Sequence, residues 1–173
     1  MRRLYARLTS SMDPVMHGCR LFTGLMLLLL LSACATVTSE QAVITDTSRG
    51  IAVVPLVDGA TRIDISTDVA FDYGSAELRP AFAAQLATVV KPYQQRTVKV
   101  SGYTDNVGAQ AFNLDLSQRR ARAVADVLRE QGFHTTQLAV SGYGEDSPVA
   151  SNATETGRRL NRRIELLISA KLP

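Results

Sequence analysis

The sequence predicts an α+β fold: a mixed β-sheet of about four strands with helices packed on one face, in βαβαβ-β order. Three observations carry that expectation. Apolar and polar residues alternate over Thr61–Phe71, with Ile63, Ile65, Val69 and Phe71 on one side and Arg62, Asp64, Ser66 and Asp68 on the other. A period of two is the mark of a strand covered on one face. The spacing then changes to three and four at Leu78, Phe82, Leu86, Val89 and Val90, and again at Ala121, Val124, Ala125 and Leu128, as a half-buried helix requires. Finally, Val100-Ser101-Gly102-Tyr103 returns forty residues later as Val140-Ser141-Gly142-Tyr143, each time at the C-terminal end of a strand. Two copies make no repeat array. They do predict two strands used alike, whose following loops leave the same edge of the sheet.

The chain begins with a segment outside that fold. Arg2, Arg3, Arg7 and Arg20 precede an apolar run, Leu21–Leu31, which closes in Leu31-Ser32-Ala33-Cys34. The run is shorter than the ~20 residues of a spanning helix, and the basic, apolar, small-residue order is that of a secretory signal. Residues 1–33 are assigned to it, with Met12 and Met16 as alternative starts of more usual length. The tetrad resembles a bacterial lipobox, in which Cys34 is diacylated on sulfur and becomes the first mature residue. The other reading is an ordinary signal cut near Ala33 beside an incidental cysteine.

Cysteine count and charge bear on this choice. The chain has two cysteines, Cys19 and Cys34, and Cys19 leaves with the signal. The mature chain then has no internal disulfide, and a lipid anchor accounts for its one thiol. Residues 1–33 hold four arginines and one aspartate, the whole of the formal +3; the rest carries 15 basic and 15 acidic residues. Basicity therefore belongs to the targeting segment, and a neutral exported domain is no nucleic-acid binder. The remaining residues suffice for one domain and not for two. Residues 34–49, rich in Thr, Ser, Asp and Glu, read as the acylated N-terminus and a flexible tether. Its typical reach is about 20 Å and its contour limit about 50 Å. Residues 50–173 read as the folded domain.

Within the domain, Ile51–Val57 is expected as an edge strand interrupted by Pro55. Asp58-Gly59 turns it into the alternating run as a hairpin. Asp72-Tyr73-Gly74-Ser75 is a loop, and a helix follows through Val90, with Pro80 in its first turn and Pro92 at its end. Thr97–Tyr103 is a strand, and Thr104-Asp105-Asn106-Val107-Gly108 a polar loop. The next helix is expected to start at Ser117, a good N-cap, and to stop at Gly132, a good left-handed C-cap. On that reading Arg119, Arg120 and Arg122 crowd the positive end of the helix dipole, at a cost of roughly 0.3–1 kcal/mol each. A local rule broken so openly suggests a site. Leu138–Tyr143 is a strand, Glu145–Thr156 a loop, Gly157–Asn161 a helical turn, and Arg162–Ala170 a closing strand with Ile164, Leu166 and Ile168 inward. The loops opening at Asp72, Asp105 and Glu145 are expected on one rim.

The residues exclude most chemistry. Beyond the signal the one histidine is His134, and Val140-Ser141-Gly142-Tyr143-Gly144 lacks the leading glycine of a nucleophile elbow. One histidine and one cysteine assemble no zinc site. No spacing favours a catalytic pair among Asp72, Asp105, Asp115 and Glu145. Neither enzyme, metal nor cofactor is expected, and the arginines at 119–122 and 158–163 read mostly as rim salt bridges. The sharper expectation concerns Asp105 and Arg120, which a short return of the chain sets beside one pocket. An acceptor-only carboxylate and a five-donor guanidinium together suit a zwitterion. A plain Asp105–Arg120 salt bridge is the alternative reading of the same spacing.

These residues carry a resemblance. Gly102-Tyr103-Thr104-Asp105-Asn106-Val107-Gly108, Asn113, Leu116-Ser117-Gln118-Arg119-Arg120-Ala121, Gly142-Tyr143-Gly144-Glu145 with Pro148 and Asn152, and Gly157-Arg158 with Asn161-Arg162-Arg163 stand in one order. With Val69–Leu78 upstream, they resemble the OmpA C-terminal-like (OmpA/MotB-type) peptidoglycan-binding domain over about 120 residues. With the Leu-Ser-Ala-Cys tetrad, the chain is similar to small OmpA-family outer-membrane lipoproteins and to the peptidoglycan-associated lipoprotein. The resemblance implies non-covalent binding of the diaminopimelate residue of the peptidoglycan stem peptide. Asp105 would hold its ammonium and Arg120 its carboxylate. It further implies that Thr104, Asn113, Asp72 and Tyr73 shape the pocket, and that Arg163 is structural. Because Ala35 and not Asp follows Cys34, it implies an outer-membrane, periplasm-facing anchor in a Gram-negative cell. The alternative within this frame is an envelope adaptor whose domain mainly binds another protein.

Overall fold

The computed structural model describes residues 44–46 and 50–170. The signal reading of residues 1–33, the lipidation of Cys34 and most of the 34–49 tether lie outside the described residues. Six strands are described: β1 (Ile44–Asp46), β2 (Ile51–Pro55), β3 (Thr61–Ser66), β4 (Val98–Gly102), β5 (Leu138–Gly142) and β6 (Arg163–Ile168). They form one sheet in the order β1-β2-β3-β6-β4-β5, antiparallel throughout except for the parallel pair β4–β5. The α+β fold with a mixed sheet is as expected, although the sheet has six strands and not about four. The addition that no sequence pattern announces is β1, a three-residue strand inside the segment read as tether. By pairing with β2 it removes β2 from the sheet edge, correcting that expectation.

The register explains the core. Ile51, Ile65, Ile164, Gly102 and Gly142 lie in one row across the sheet, and Val53, Ile63, Leu166, Val100 and Val140 in the next. These rows share a buried cluster with Phe82, Leu86, Val90, Val124 and Leu128 from the helices. Period-2 strands and period-3.6 helices thus meet on a single apolar face.

The alternating run ends earlier than its pattern suggests. β3 stops at Ser66, and Thr67–Ala70 forms a one-turn helix, α1, before Phe71 bridges to Leu78. Thr67 and Ala70 are buried while Val69 is 38% exposed. In one helical turn residues i and i+3 face the same way, which buries Thr67 with Ala70 and turns Val69 outward, against the alternation that the odd-numbered apolar series suggests. Helix α2 spans Pro80–Val90 with its proline at the first position, and a 3₁₀ turn over Lys91–Tyr93 carries the chain through Pro92.

Helix α3 (Gln110–Glu130) begins two turns before the expected start at Ser117. Its early buried positions are Asn113, Leu116 and Ser117, a largely polar face that hides the helical period. Ser117 is fully buried in mid-helix; its Oγ donates to the Leu114 carbonyl at 2.8 Å and accepts from Gly144 N–H at 2.9 Å. Arg119, Arg120 and Arg122 therefore sit outside the first turn, where the dipole penalty has died away, and Arg119 pairs with Asp115 at i,i+4. Gly132, at φ +91°, does follow the helix end in the left-handed region. Helix α4 (Glu155–Asn161) is longer than the expected turn and is capped by Thr154, whose Oγ1 accepts from Gly157 N–H at 3.1 Å.

The repeated tetrapeptide is the parallel pair itself, Val100 to Val140 and Gly102 to Gly142 in register, with Tyr103 and Tyr143 stacked at 5.3 Å. Its glycines let α3 lie against the strand ends. A Cβ on Gly102 would overlap the Ser117 carbonyl, and one on Gly142 would overlap the Gln118 backbone nitrogen. Backbone cannot rotate aside as a side chain can. Gly142→Ala is expected to lower stability by on the order of 3 kcal/mol, measured as a fall in the urea midpoint with an unchanged denaturant slope.

Candidate functional site

The close approach of α3 aims its N-terminal half over the loops that follow β3 and β4. Asn113, Leu116 and Arg120, at spacings of three and four, share one face of the helix and line a cavity of about 740 Å³. Its other walls come from Thr67, Asp68, Phe71–Gly74 and Arg79, from Thr104, Asp105 and Val107, from Phe112, and from Glu155, Arg158 and Arg162 at α4.

Arg120 is 6% exposed. Its Nε donates to the Ser75 carbonyl at 2.8 Å, with longer contacts from Nη1 to Thr67 Oγ1 at 3.4 Å and from Nη2 to the Asp72 carbonyl at 3.5 Å. The guanidinium carbon lies 5.2 Å from the Phe71 ring centre. Among the described residues no carboxylate lies within ion-pair distance of it. Burial pulls its pKa below the ordinary arginine range, with Asp68 and Asp105 opposing and Arg119 and Arg162 reinforcing the shift. Arginine nonetheless stays protonated, so the cavity holds a desolvated cation served only by neutral oxygens.

Asp105 is 8% exposed and does not pair with Arg120, which decides against the plain salt bridge. Its Oδ1 accepts from Val107 N–H at 3.0 Å and its Oδ2 from Arg162 at 2.6 Å. Arg162 is the hub of this wall. It also donates to Asp68 at 2.7 and 2.8 Å and to Glu155 at 2.8 Å. These bonds, that to Asp68 foremost, hold its pKa above the ordinary arginine value. Glu155 in turn takes Arg158, and Asp72 takes Arg79. The four acids and four arginines lining the cavity balance overall. They are not evenly spread: the Arg162 wall has a carboxylate in excess, and Arg120 is the cation left over.

The other expected residues fall as follows. Thr104 is 5% exposed, its backbone N–H donates to the Gly144 carbonyl at 2.7 Å, and its Oγ1 has no partner among the described residues. Asn113 acts as a strut: its Nδ2 reaches the Asp105 carbonyl (3.3 Å), the Val107 carbonyl (3.2 Å) and Glu145 Oε2 (2.9 Å). Asp72 carries its carboxylate on the rim, and Tyr73 is 99% exposed at the mouth. Of the three loops expected on one rim, those at Asp72 and Asp105 line the cavity, whereas Glu145 meets it through Asn113. Arg163 lies elsewhere, 3.9 Å over the Tyr103 ring and bonded to Glu165. Sequence reasoning missed Asp68, Glu155, Arg158 and Arg162 as walls. The available signal was a dense basic run in a formally neutral domain, which demands acidic partners brought from elsewhere. Among the described residues no group of three His, Cys, Asp or Glu side chains is arranged to hold a metal ion.

Comparison with known proteins adds a second line. A model described as the OmpA family matches residues 70–162. The probable lipoprotein YiaD of Escherichia coli is 39% identical over 134 residues, covering 75% of this chain and 61% of that protein. The peptidoglycan-binding protein ArfA of Mycobacterium tuberculosis is 38% identical over 104 residues, 58% of this chain and 32% of that one. The chain thus spans less than two thirds of the length of either relative. A solved structure, described as the cell wall anchor of the T6SS from Pseudomonas aeruginosa, aligns with a TM-score of 0.64 at 31% identity, over 72% of this chain and 91% of that one.

The hub makes a prediction independent of any ligand. Arg162→Ala leaves Asp68, Asp105 and Glu155 facing one another without their shared cation. Stability at pH 7 is expected to fall by about 2 kcal/mol. The loss should shrink as pH falls through the acid range, because the bond from Arg162 holds the Glu155 carboxyl below its ordinary range and that contribution to stability goes once the carboxylate is protonated. Urea titrations across that range check both statements.

Proposed function

The chain belongs to the OmpA family, and on that premise we propose that its domain binds, non-covalently, the diaminopimelate residue of peptidoglycan stem peptides. We propose with it that acylation of Cys34 anchors the protein in the outer membrane facing the periplasm, so that it tethers membrane to wall. Membership of the family supports cell-wall binding in general. The observation that carries the finer reading is Arg120, a buried cation with only neutral acceptors, set in the same cavity as the carboxylate-rich wall around Asp105.

The side chain of diaminopimelate ends in an ammonium and a carboxylate on one carbon. The carboxylate would give Arg120 the anion it lacks, in the bidentate geometry that guanidinium favours. The ammonium would join Asp105, which keeps acceptor capacity after bonding Val107 N–H and Arg162. The Thr104 hydroxyl would find its missing partner on the same head group, while Asn113 holds the loop of Asp105 in place. A lysine-type stem offers the ammonium alone and would leave Arg120 desolvated and unmatched. No bond is made or broken in this scheme, in which the domain acts by binding alone. The names of the relatives, a lipoprotein and a cell wall anchor, support the anchoring half.

Co-sedimentation of the full chain in mild detergent with purified diaminopimelate-type sacculi tests the clamp. Wild type is expected in the pellet, and Asp105→Ala and Arg120→Ala each to weaken retention by on the order of 2–5 kcal/mol. Lysine-type sacculi should retain none of the three. Variants that pellet like wild type, or retention that requires an added envelope protein, would refute the clamp and favour an adaptor. Separately, Cys34→Ser is expected to move the protein from the membrane fraction to the soluble fraction of lysed cells.

A further inference from the structure

The cavity is longer than the head group proposed for it. Along α3, Phe112 and Arg120 are eight residues apart, which at the helical rise is about 12 Å of wall. The two chiral carbons of diaminopimelate are separated by four C–C bonds, roughly 5 Å, and each further peptide residue adds at most ~3.5 Å. A zwitterion held at Arg120 therefore leaves the outer half of the wall to whatever is joined to it. On the side of Val107 and Phe112 that outer half is apolar. Val107 is 55% exposed and Phe112 49% exposed, and both line the cavity, as does Tyr73. Single exposed apolar side chains are ordinary on a protein surface, but these three, from two loops and a helix, border one cavity.

We propose that Phe112 and Val107, together with Tyr73, form a second subsite that takes the short aliphatic residue joined to the diaminopimelate in the stem peptide. The inference rests on the clamp reading and extends it. Asp105 and Arg120 select the head group, and the apolar mouth selects for that head group within a peptide. The exposed charges that border the cavity, Asp72 with Arg79 and Glu155 with Arg158, are already paired with one another, so Val107 and Phe112 present an apolar surface beside them. A methyl or methylene against an aromatic face gains by leaving water, as the free amino acid cannot at that depth.

Isothermal titration of the full chain in detergent, with meso-diaminopimelate and with the tetrapeptide L-Ala-γ-D-Glu-meso-diaminopimelyl-D-Ala, tests it. The quantity read is the ratio of the two affinities. It is expected to be about tenfold in wild type, a gain of ~1.4 kcal/mol for the peptide, and near one in Phe112→Ala and Val107→Ser. Both side chains are about half exposed, so an unchanged urea midpoint should accompany the loss. A ratio that survives Phe112→Ala, or a wild type that binds both ligands equally, would overturn the subsite while leaving the clamp standing. An effect of Phe112→Ala seen only after N-acetylmuramic acid is attached to the peptide would overturn it in favour of a glycan contact. Binding of neither ligand by wild type would remove the clamp and the subsite together.

Discussion

The approach of α3 to the parallel strands β4 and β5 sets everything else in place. Two glycines in register permit it, since a methyl group on either would meet helix backbone. Side chains then fix the helix in rotation. Gln118 Oε1 accepts from Gly142 N–H at 2.5 Å, and Ser117 Oγ accepts from Gly144 N–H at 2.9 Å. A helix so held cannot turn Asn113, Leu116 and Arg120 away from the loops. Packing at the strand ends thus determines where a guanidinium and a carboxylate face the same space. The same contacts stitch the loops after β4 and β5 together, through Thr104 N–H to the Gly144 carbonyl and Tyr143 N–H to the Gly102 carbonyl.

Electrostatics then divides the arginines into two kinds. Arg162 gathers three carboxylates around one guanidinium. Arg120 is buried without an anion, an arrangement that costs solvation and returns little to stability. Folded chains tolerate such a conflict where function uses it. The cavity lining is formally neutral overall. The separation of its charges favours a ligand that carries both signs close together.

Much of this was legible in the sequence where the physics is local. The Val-Ser-Gly-Tyr echo became the parallel pair because both copies obey the same constraint, a glycine under the same helix. Asp105 and Arg120 reached one cavity because few residues separate them. What escaped was non-local or disguised. Arg162 pairs with Asp105 across 57 positions, and no pattern in either segment names the other. The early turns of α3 bury Asn113 and Ser117 for their hydrogen bonds, so hydrophobic periodicity placed the helix start too late. α1 imitated a strand because Val69 and Phe71 prolong the alternation of Ile63 and Ile65, and β1 is too short to declare itself. The mouth formed by Val107 and Phe112 was invisible for the opposite reason: an exposed apolar residue has meaning only beside others.

On the proposed clamp, Arg120 waits for a carboxylate that arrives together with an ammonium. Its Nε–H resonance can be followed by ¹⁵N NMR during titration with the tripeptide L-Ala-γ-D-Glu-meso-diaminopimelate. A saturable shift of the Arg120 Nε–H signal is expected with this peptide and none with the L-lysine tripeptide, which lacks the terminal carboxylate. Equal shifts with both peptides, or no shift at saturating diaminopimelate peptide, would contradict it.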